Sequence, residues 1–342
     1  MARRIAKGYV DTLPPTQSDA LCGAYVMGSL ASLQDEEEFD AHASDIDIAI
    51  VIDTKLMPID HERFPHGKFL IQEGCLIQEI SVDRYILDDE RKLLSTLGLG
   101  CNLRNGHIIS DPSGVIGAAK QLVLDQWAES EWVSLRTERA IAFAEKSIAR
   151  LAEASTSLDR LSGLADAVMQ LAGLVAIASA TTPTHRRALV LAATLLERDV
   201  RMDLHEKLLS AIGAESVDEN AVRAALSDAV AAAEIEVRYD NPAVTNSPEF
   251  QRVLIRSISA GTEQIIREGY LREAMLPLVW SVAISAEAVG PVGSKADREV
   301  LAQLVDRGLE GVGGAGNSWN ERLEILKNVF KEFSIFCRAL PG

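Results

Sequence analysis

The chain has 342 residues with 34 Lys and Arg against 50 Asp and Glu, a formal net charge of −16. That balance argues against an extensive nucleic-acid surface, because neutralising phosphates needs clustered cations. Hydrophobic residues are 47% of the chain but aromatic residues only 5%, so a core large enough for two domains must be built from Ala, Leu, Val and Ile, which favours helices.

Met1 to Pro15 reads as an extended arm closed by Pro14-Pro15, and Ser18 is placed to cap a short helix from Asp19. The basic start lacks the apolar run of a secretory signal. Cys22, Cys75, Cys101 and Cys337 have no paired-ligand spacing and read as free thiols of a reducing cytoplasm. Tyr25-Val26-Met27 reads as a short strand ended by Gly28-Ser29. Glycine there lets a phosphate approach the backbone, and the serine hydroxyl and neighbouring amides can donate to it. The acidic run from Gln34 to Asp40 reads as a solvated loop, with attraction of a polycationic acceptor as the sharper alternative.

From Ser44 to Asp53 the sequence alternates. Ile46, Ile48, Ile50 and Ile52 fall on one parity, and Asp45, Asp47, Ala49 and Val51 on the other, the pattern of a β-strand. Side chains two apart share a face, so Asp45 and Asp47 stand side by side at the strand's beginning. Such a pair repels unless a cation lies between. Hard oxygen ligands suit Mg²⁺, which takes one or two protein carboxylates and fills its shell with water and substrate phosphate oxygens.

Met27-Gly28-Ser29 followed by Asp45-Ile46-Asp47-Ile48 resembles the nucleotidyltransferase superfamily typified by DNA polymerase β, which is marked by a hydrophobic-Gly-Ser turn and a strand carrying Asp-hydrophobic-Asp-hydrophobic. The layout is closest to bacterial antibiotic (aminoglycoside) nucleotidyltransferases with a C-terminal helical domain. Two features depart from the small bacterial members. Ala31-Ser32-Leu33 stands where a basic residue commonly follows the Gly-Ser, and the connecting loop is longer and more acidic. Phosphate charge must then be neutralised by metal or by side chains from elsewhere.

Thr54 to Lys68, with Pro58 and Pro65, reads as a loop or interrupted helix; His61 and His66 lack a ligand partner at zinc spacing and read as surface histidines. Phe69–Gln72 and Leu76–Asp83 read as strands separated by the Glu73-Gly74 turn. In the second, Ile80 and Val82 share one parity, and Ile77, Glu79, Ser81 and Asp83 the other. The resembled family carries a third carboxylate on a neighbouring strand, often a glutamate in a hydrophobic-x-Glu-hydrophobic pattern. Ile77-Gln78-Glu79-Ile80 matches it, so the resemblance implies Glu79 as third metal ligand or general base, followed by Asp83 and then Glu73.

From Asp88 the period changes to about 3.6. Helices are predicted around Asp88–Leu97, Val115–Ala128, Glu131–Leu151, Leu158–Ala180, Thr184–Leu196, Met202–Gly213, Asp218–Ala233, Pro248–Glu268, Leu271–Val289, Lys295–Gly308 and Trp319–Leu340. The apolar tract Ala167 to Thr182 is broken by Gln170 and reads as a buried helix rather than a membrane span. Trp127 and Trp132 read as hydrophobic staples or as rings that stack on a base. Arg198-Asp199 followed by His205 mimics the Arg-x-His ribonuclease pattern of some helical HEPN domains, a spacing that arises readily by chance.

The reading is therefore an α+β chain: an N-terminal polymerase-β-like nucleotidyltransferase domain, a small mixed sheet with helices, over 1–114, followed by an all-α acceptor-binding or accessory domain over 115–342. The resemblance implies a cytoplasmic Mg²⁺-dependent transferase that moves a nucleoside monophosphate, AMP from ATP, to a hydroxyl of a small acceptor and releases pyrophosphate. Asp45, Asp47 and Glu79 would hold the metal and Gly28 and Ser29 the phosphates. An aminoglycoside-like antibiotic is the leading acceptor class. The rival readings are a non-catalytic nucleotide-binding regulatory or antitoxin-like module, and a transferase acting on a protein or tRNA hydroxyl.

Overall fold

The computed structural model describes residues 2–13, 20–32, 45–56, 68–239, 248–314 and 318–340. The expectations for Ser18, the acidic run from Gln34 to Asp40, His61 and His66 lie outside the described residues, as does the side chain of Ser29.

The chain opens with a helix, α1 (Ala2–Asp11), where an extended arm was predicted. Ala2, Ile5, Ala6, Tyr9 and Val10 are its buried residues, spaced i, i+3, i+4, i+7, i+8 as one apolar helix face requires. That face needs a partner, and a sheet supplies it.

The strands are β1 (Leu21–Met27), β2 (Ile46–Ile52), β3 (Lys68–Gln72), β4 (Cys75–Asp83) and β5 (His107–Ser110). They form one mixed sheet in the order β3-β4-β2-β1-β5. β2 and β4 run parallel, and the other pairs are antiparallel. A short helix, α2 (Gly28–Ser32), follows β1 directly. On one face of the sheet, Ala24, Val26, Ile46, Ile48, Ile50, Ile52 and Ile77 form a single core with the apolar residues of α1.

After β4 come α3 (Arg84–Leu87), α4 (Glu90–Ser95) and α5 (Leu99–Asn105); α6 (Val115–Gln126) follows β5. At its start Gly114 is left-handed, with φ 72°, and Asp111 accepts from the backbone N–H of Ile116 (3.3 Å) and Gly117 (2.7 Å), satisfying amides that the first helical turn leaves unpaired. α5 meets α6 where a Cβ on Gly100 would lie 2.1 Å from the Trp127 ring. Trp127 is buried there, so the ring fills the interior of the first unit.

The chain divides into two compact units, Met1–Trp132 with Asp240–Ser257, and Val133–Tyr239 with Ile258–Gly342. The division thus falls after α6, past the boundary predicted at Gly114, because α6 packs on α3, α4, α5 and β1. The second unit is helical. α8 (Ser157–Ala178) begins with a capping box between Thr156 and Asp159 and packs against α9 (Ala188–Arg198), α10 (Met202–Ile212), α13 (Met275–Val289), α14 (Lys295–Gly311) and α15 (Ser318–Ala339). α8 is long and apolar enough to cross a membrane by length and composition, but 72% of that stretch is buried inside the protein. The remaining helices are α7 (Ser130–Ala152), α11 (Glu219–Glu236) and α12 (Pro248–Arg267). The first part of α12 belongs to the sheet unit, where Val253 and Leu254 cover Leu76, Phe69 and Ile71.

Replacing Gly100 by Ala forces a methyl into the Trp127 ring. Overpacking of this kind costs about 1–3 kcal/mol, against a helix-propensity gain of at most about 1 kcal/mol. The expected outcome is a lower urea midpoint with a blue-to-red shift of tryptophan emission at lower denaturant; an unchanged midpoint would refute the close contact.

Candidate nucleotide and metal site

Two stretches read separately in the sequence meet at one end of the sheet. β1 ends at Met27, which is paired with Asp47 of β2. The next residue, Gly28, has φ 68°, and a Cβ built on it would lie 1.9 Å from Oδ2 of Asp47. Only glycine tolerates both that backbone and that approach. The Asp47 carboxylate therefore rests against the backbone of the Gly-Ser turn. Asp45 stands immediately before β2, and both aspartates are part-exposed. From Ile48 onward β2 is buried at every residue, on both parities, so carboxylates are confined to its first pleats.

The third predicted carboxylate is elsewhere, and this corrects the expectation for Glu79. In the parallel β2–β4 register Glu79 is the partner of Ile48, while Asp47 is the partner of Gln78. Laterally paired residues share a face of a sheet and consecutive ones alternate. Glu79 thus lies on the α1 face, opposite Asp47. There it is 7% exposed and accepts a hydrogen bond from the Tyr9 hydroxyl. Asp83 has the same parity as Glu79 at the far end of β4, where it accepts from the Tyr85 N–H (3.0 Å) and the Thr54 hydroxyl (3.2 Å). Glu73, in the β3–β4 turn, makes a two-point ion pair with Arg4 of α1 at 3.0 and 2.5 Å, which holds its carboxyl below the usual carboxylate range.

Gln78 is the β4 residue beside Asp47, a neighbour that only the strand register reveals. Among the described residues no group of three or more His, Cys, Asp and Glu side chains could hold a metal. Asp47, at the start of β2, and Asp45, immediately before it, are the acidic residues of this stretch, a number within the range Mg²⁺ accepts when phosphate oxygens and water complete its shell. Tested on the donors present, the pair fits a cation shared with a polyphosphate. The predicted three-carboxylate cage does not form.

A cation also reaches this end of the sheet. Arg256, one helical turn after Val253, is exposed and donates to the Gly74 carbonyl at 3.5 Å. No local sequence signal points to it, since 182 positions separate the two residues. In the second unit His205 is buried, with Nε2 2.7 Å from Oε1 of Glu273. Arg198 is exposed and paired with Asp199 at 3.2 Å. A sealed histidine cannot act on RNA, so the Arg-x-His resemblance carries no site.

No protein-family model matches this chain, and no curated protein matches it.

Burial and the neighbouring Glu79 carboxylate push the Tyr9 phenol well above its ordinary range, and burial does the same to Tyr25. A group whose folded pKa is raised contributes stability that is whole below the unfolded value, about 10, and is lost as pH rises through the folded one. Of the five tyrosines, Tyr9 and Tyr25 should ionise only with unfolding in a titration followed at 295 nm. Tyr9→Phe should remove one of those late steps. It should also destabilise the protein at pH 7 by about 1–3 kcal/mol, because Glu79 stays buried without its donor. Smooth titration of all tyrosines near pH 10 in the folded state would contradict this.

Proposed function

We propose that the first unit is a nucleotidyltransferase site that moves a nucleoside monophosphate, AMP from ATP, to a hydroxyl of a small acceptor. The observation that carries the reading is the seating of Asp47 against Gly28, which brings a phosphate-permissive turn and an Asp-x-Asp strand together although 19 positions separate them. In the reaction the acceptor oxygen forms a bond to the α-phosphorus, the bond from that phosphorus to the bridging oxygen breaks, and pyrophosphate leaves while the hydroxyl proton passes to solvent. Asp45 and Asp47 would hold a divalent cation, which when bound offsets charge on the leaving pyrophosphate. Gly28 leaves room for phosphate beside the backbone. Arg256 is a further candidate for phosphate charge, which the missing basic residue after Gly28-Ser29 leaves uncovered. An aminoglycoside-like acceptor suits the net charge of −16, since an acidic protein attracts polycations.

A second reading is favoured by one observation. β4 presents Gln78, not a carboxylate, beside Asp47, as in a module that binds nucleotide without turning it over.

Purified protein with ATP, Mg²⁺ and a panel of hydroxyl acceptors, including aminoglycosides, should release pyrophosphate. Asp47→Asn should lower that rate by about a hundredfold or more, as expected for losing several kcal/mol of charge stabilisation. Tight ATP binding by calorimetry with no product from any acceptor would select the binding module. Neither binding nor turnover would remove both.

A further inference from the structure

We infer that the cleft between α3 and α6 binds a small zwitterion, a free α-amino acid with an aliphatic side chain. The cleft lies at the other end of β2 from the Gly28–Asp47 turn, next to Asp53, and the inference does not depend on the nucleotide reading.

Its volume is about 390 Å³, at the small end of the roughly 300–1,000 Å³ that small-molecule pockets span. Both helices belong to the first unit. The wall is divided in character: Leu87 of α3 and Ala118 and Leu122 of α6 are apolar, whereas Arg84, Asp88 and Ser113 are polar. A few polar groups converging beside an apolar wall are what fixes the orientation of a small ligand.

Arg84 opens α3 and Asp88 follows its last residue, so one helical turn sets a cation and an anion side by side. Both are loosely held. The Nε of Arg84 is buried and has no hydrogen-bond partner. It stands 3.6 Å from the exposed Asp88 carboxylate, too far for a hydrogen bond, and Nη1 reaches Asp53 only at 3.5 Å. Asp53 is itself committed to the Lys55 amide at 3.0 Å and the Tyr85 hydroxyl at 3.3 Å. A guanidinium can only donate, and a buried donor left without an acceptor is costly.

These charges select the ligand. A carboxylate alone would meet Asp88 and an amine alone would meet Arg84, each a like-charge contact. A zwitterion answers both, its carboxylate accepting from the Arg84 guanidinium and its ammonium donating to Asp88 in charge-assisted hydrogen bonds. Ser113 Oγ sends its proton to the Cys22 carbonyl at 2.9 Å and is left as an acceptor for the same ammonium. The side chain then lies on Leu87, Ala118 and Leu122, a surface that favours an aliphatic group over a polar one.

Calorimetric titration of the full-length protein with L-leucine, L-valine and L-isoleucine is the direct measurement. Isocaproate, which is leucine without its ammonium, and isoamylamine, which is leucine without its carboxylate, are the controls. Leucine should bind, and each control should bind at least about tenfold more weakly, as expected for losing one charge-assisted contact. Arg84→Gln and Asp88→Asn should each weaken leucine by a similar factor. Ala118→Trp should abolish binding by filling the cleft from an exposed helical position, with circular dichroism reporting whether each variant folds. No binding of any of the three amino acids to the wild type would overturn the inference. So would leucine binding that survives Ala118→Trp, which puts the ligand elsewhere, or a control that binds as tightly as leucine. The wild-type comparison of leucine with its two controls decides the matter even if a variant does not fold.

Discussion

From Ile48 to Ile52, β2 is dry on both of its faces. It lies inside the sheet between β1 and β4, with α1 over one side and residues of β1 such as Tyr25 buried on the other. A carboxylate in that stretch would meet a desolvation cost of several kcal/mol with no partner. Charge is therefore confined to the two ends of β2, at Asp45 and Asp47 on one side and at Asp53, paired with Arg84 at 3.5 Å, on the other, and the turn after β1 must accommodate Asp47. That constraint explains why the residue facing Asp47 in that turn is a glycine and why both aspartates are part-exposed.

The same register decides which acids cooperate. Parallel pairing places Ile48 beside Glu79 and Asp47 beside Gln78. Glu79 becomes a structural group, the polar anchor by which Tyr9 fastens α1 to the sheet, while Glu73 ties the start of the same helix through Arg4. The two glutamates that the resemblance would recruit to chemistry hold the N-terminal helix instead.

The helical unit is assembled by small aliphatic residues around α8, whose buried positions are Leu, Ala, Val, Ile and Met. Its charges lie mainly at the surface, in pairs such as Arg307 with Asp228 at 2.8 Å and Arg338 with Glu138 at 2.6 Å, each worth little alone. Arg136 and Arg322 are buried as well, and so are His205 and Glu273, which pair at 2.7 Å. The latter two join α10 to the turn that precedes α13, and a partner is obligatory for a carboxyl so enclosed. The acidic balance of the chain is accordingly carried mainly by its surface.

Local pattern determined the strands and most of the helices. The alternation of Ile46 to Ile52 fixed a strand, the 3.6 period from Val115 to Leu340 fixed helices to within a few residues, and the i, i+3, i+4 spacing of Ala2 to Val10 carries the helix that forms in place of an extended arm. β5 and α5 are too short and too weakly patterned to be read this way. That Asp47 takes the face opposite Ile46, Ile48 and Ile50 was legible because successive side chains of a strand alternate between its two faces. Which face Glu79 takes was not, because it depends on how β4 lies against β2, and a slip of one residue reverses it. Gln78 beside Asp47, Asp47 against Gly28, and Arg256 near Gly74 are likewise products of pairing between segments distant in the chain. Short-range periodicity carries no information about such contacts; only closure of the sheet and return of α12 onto it bring them about.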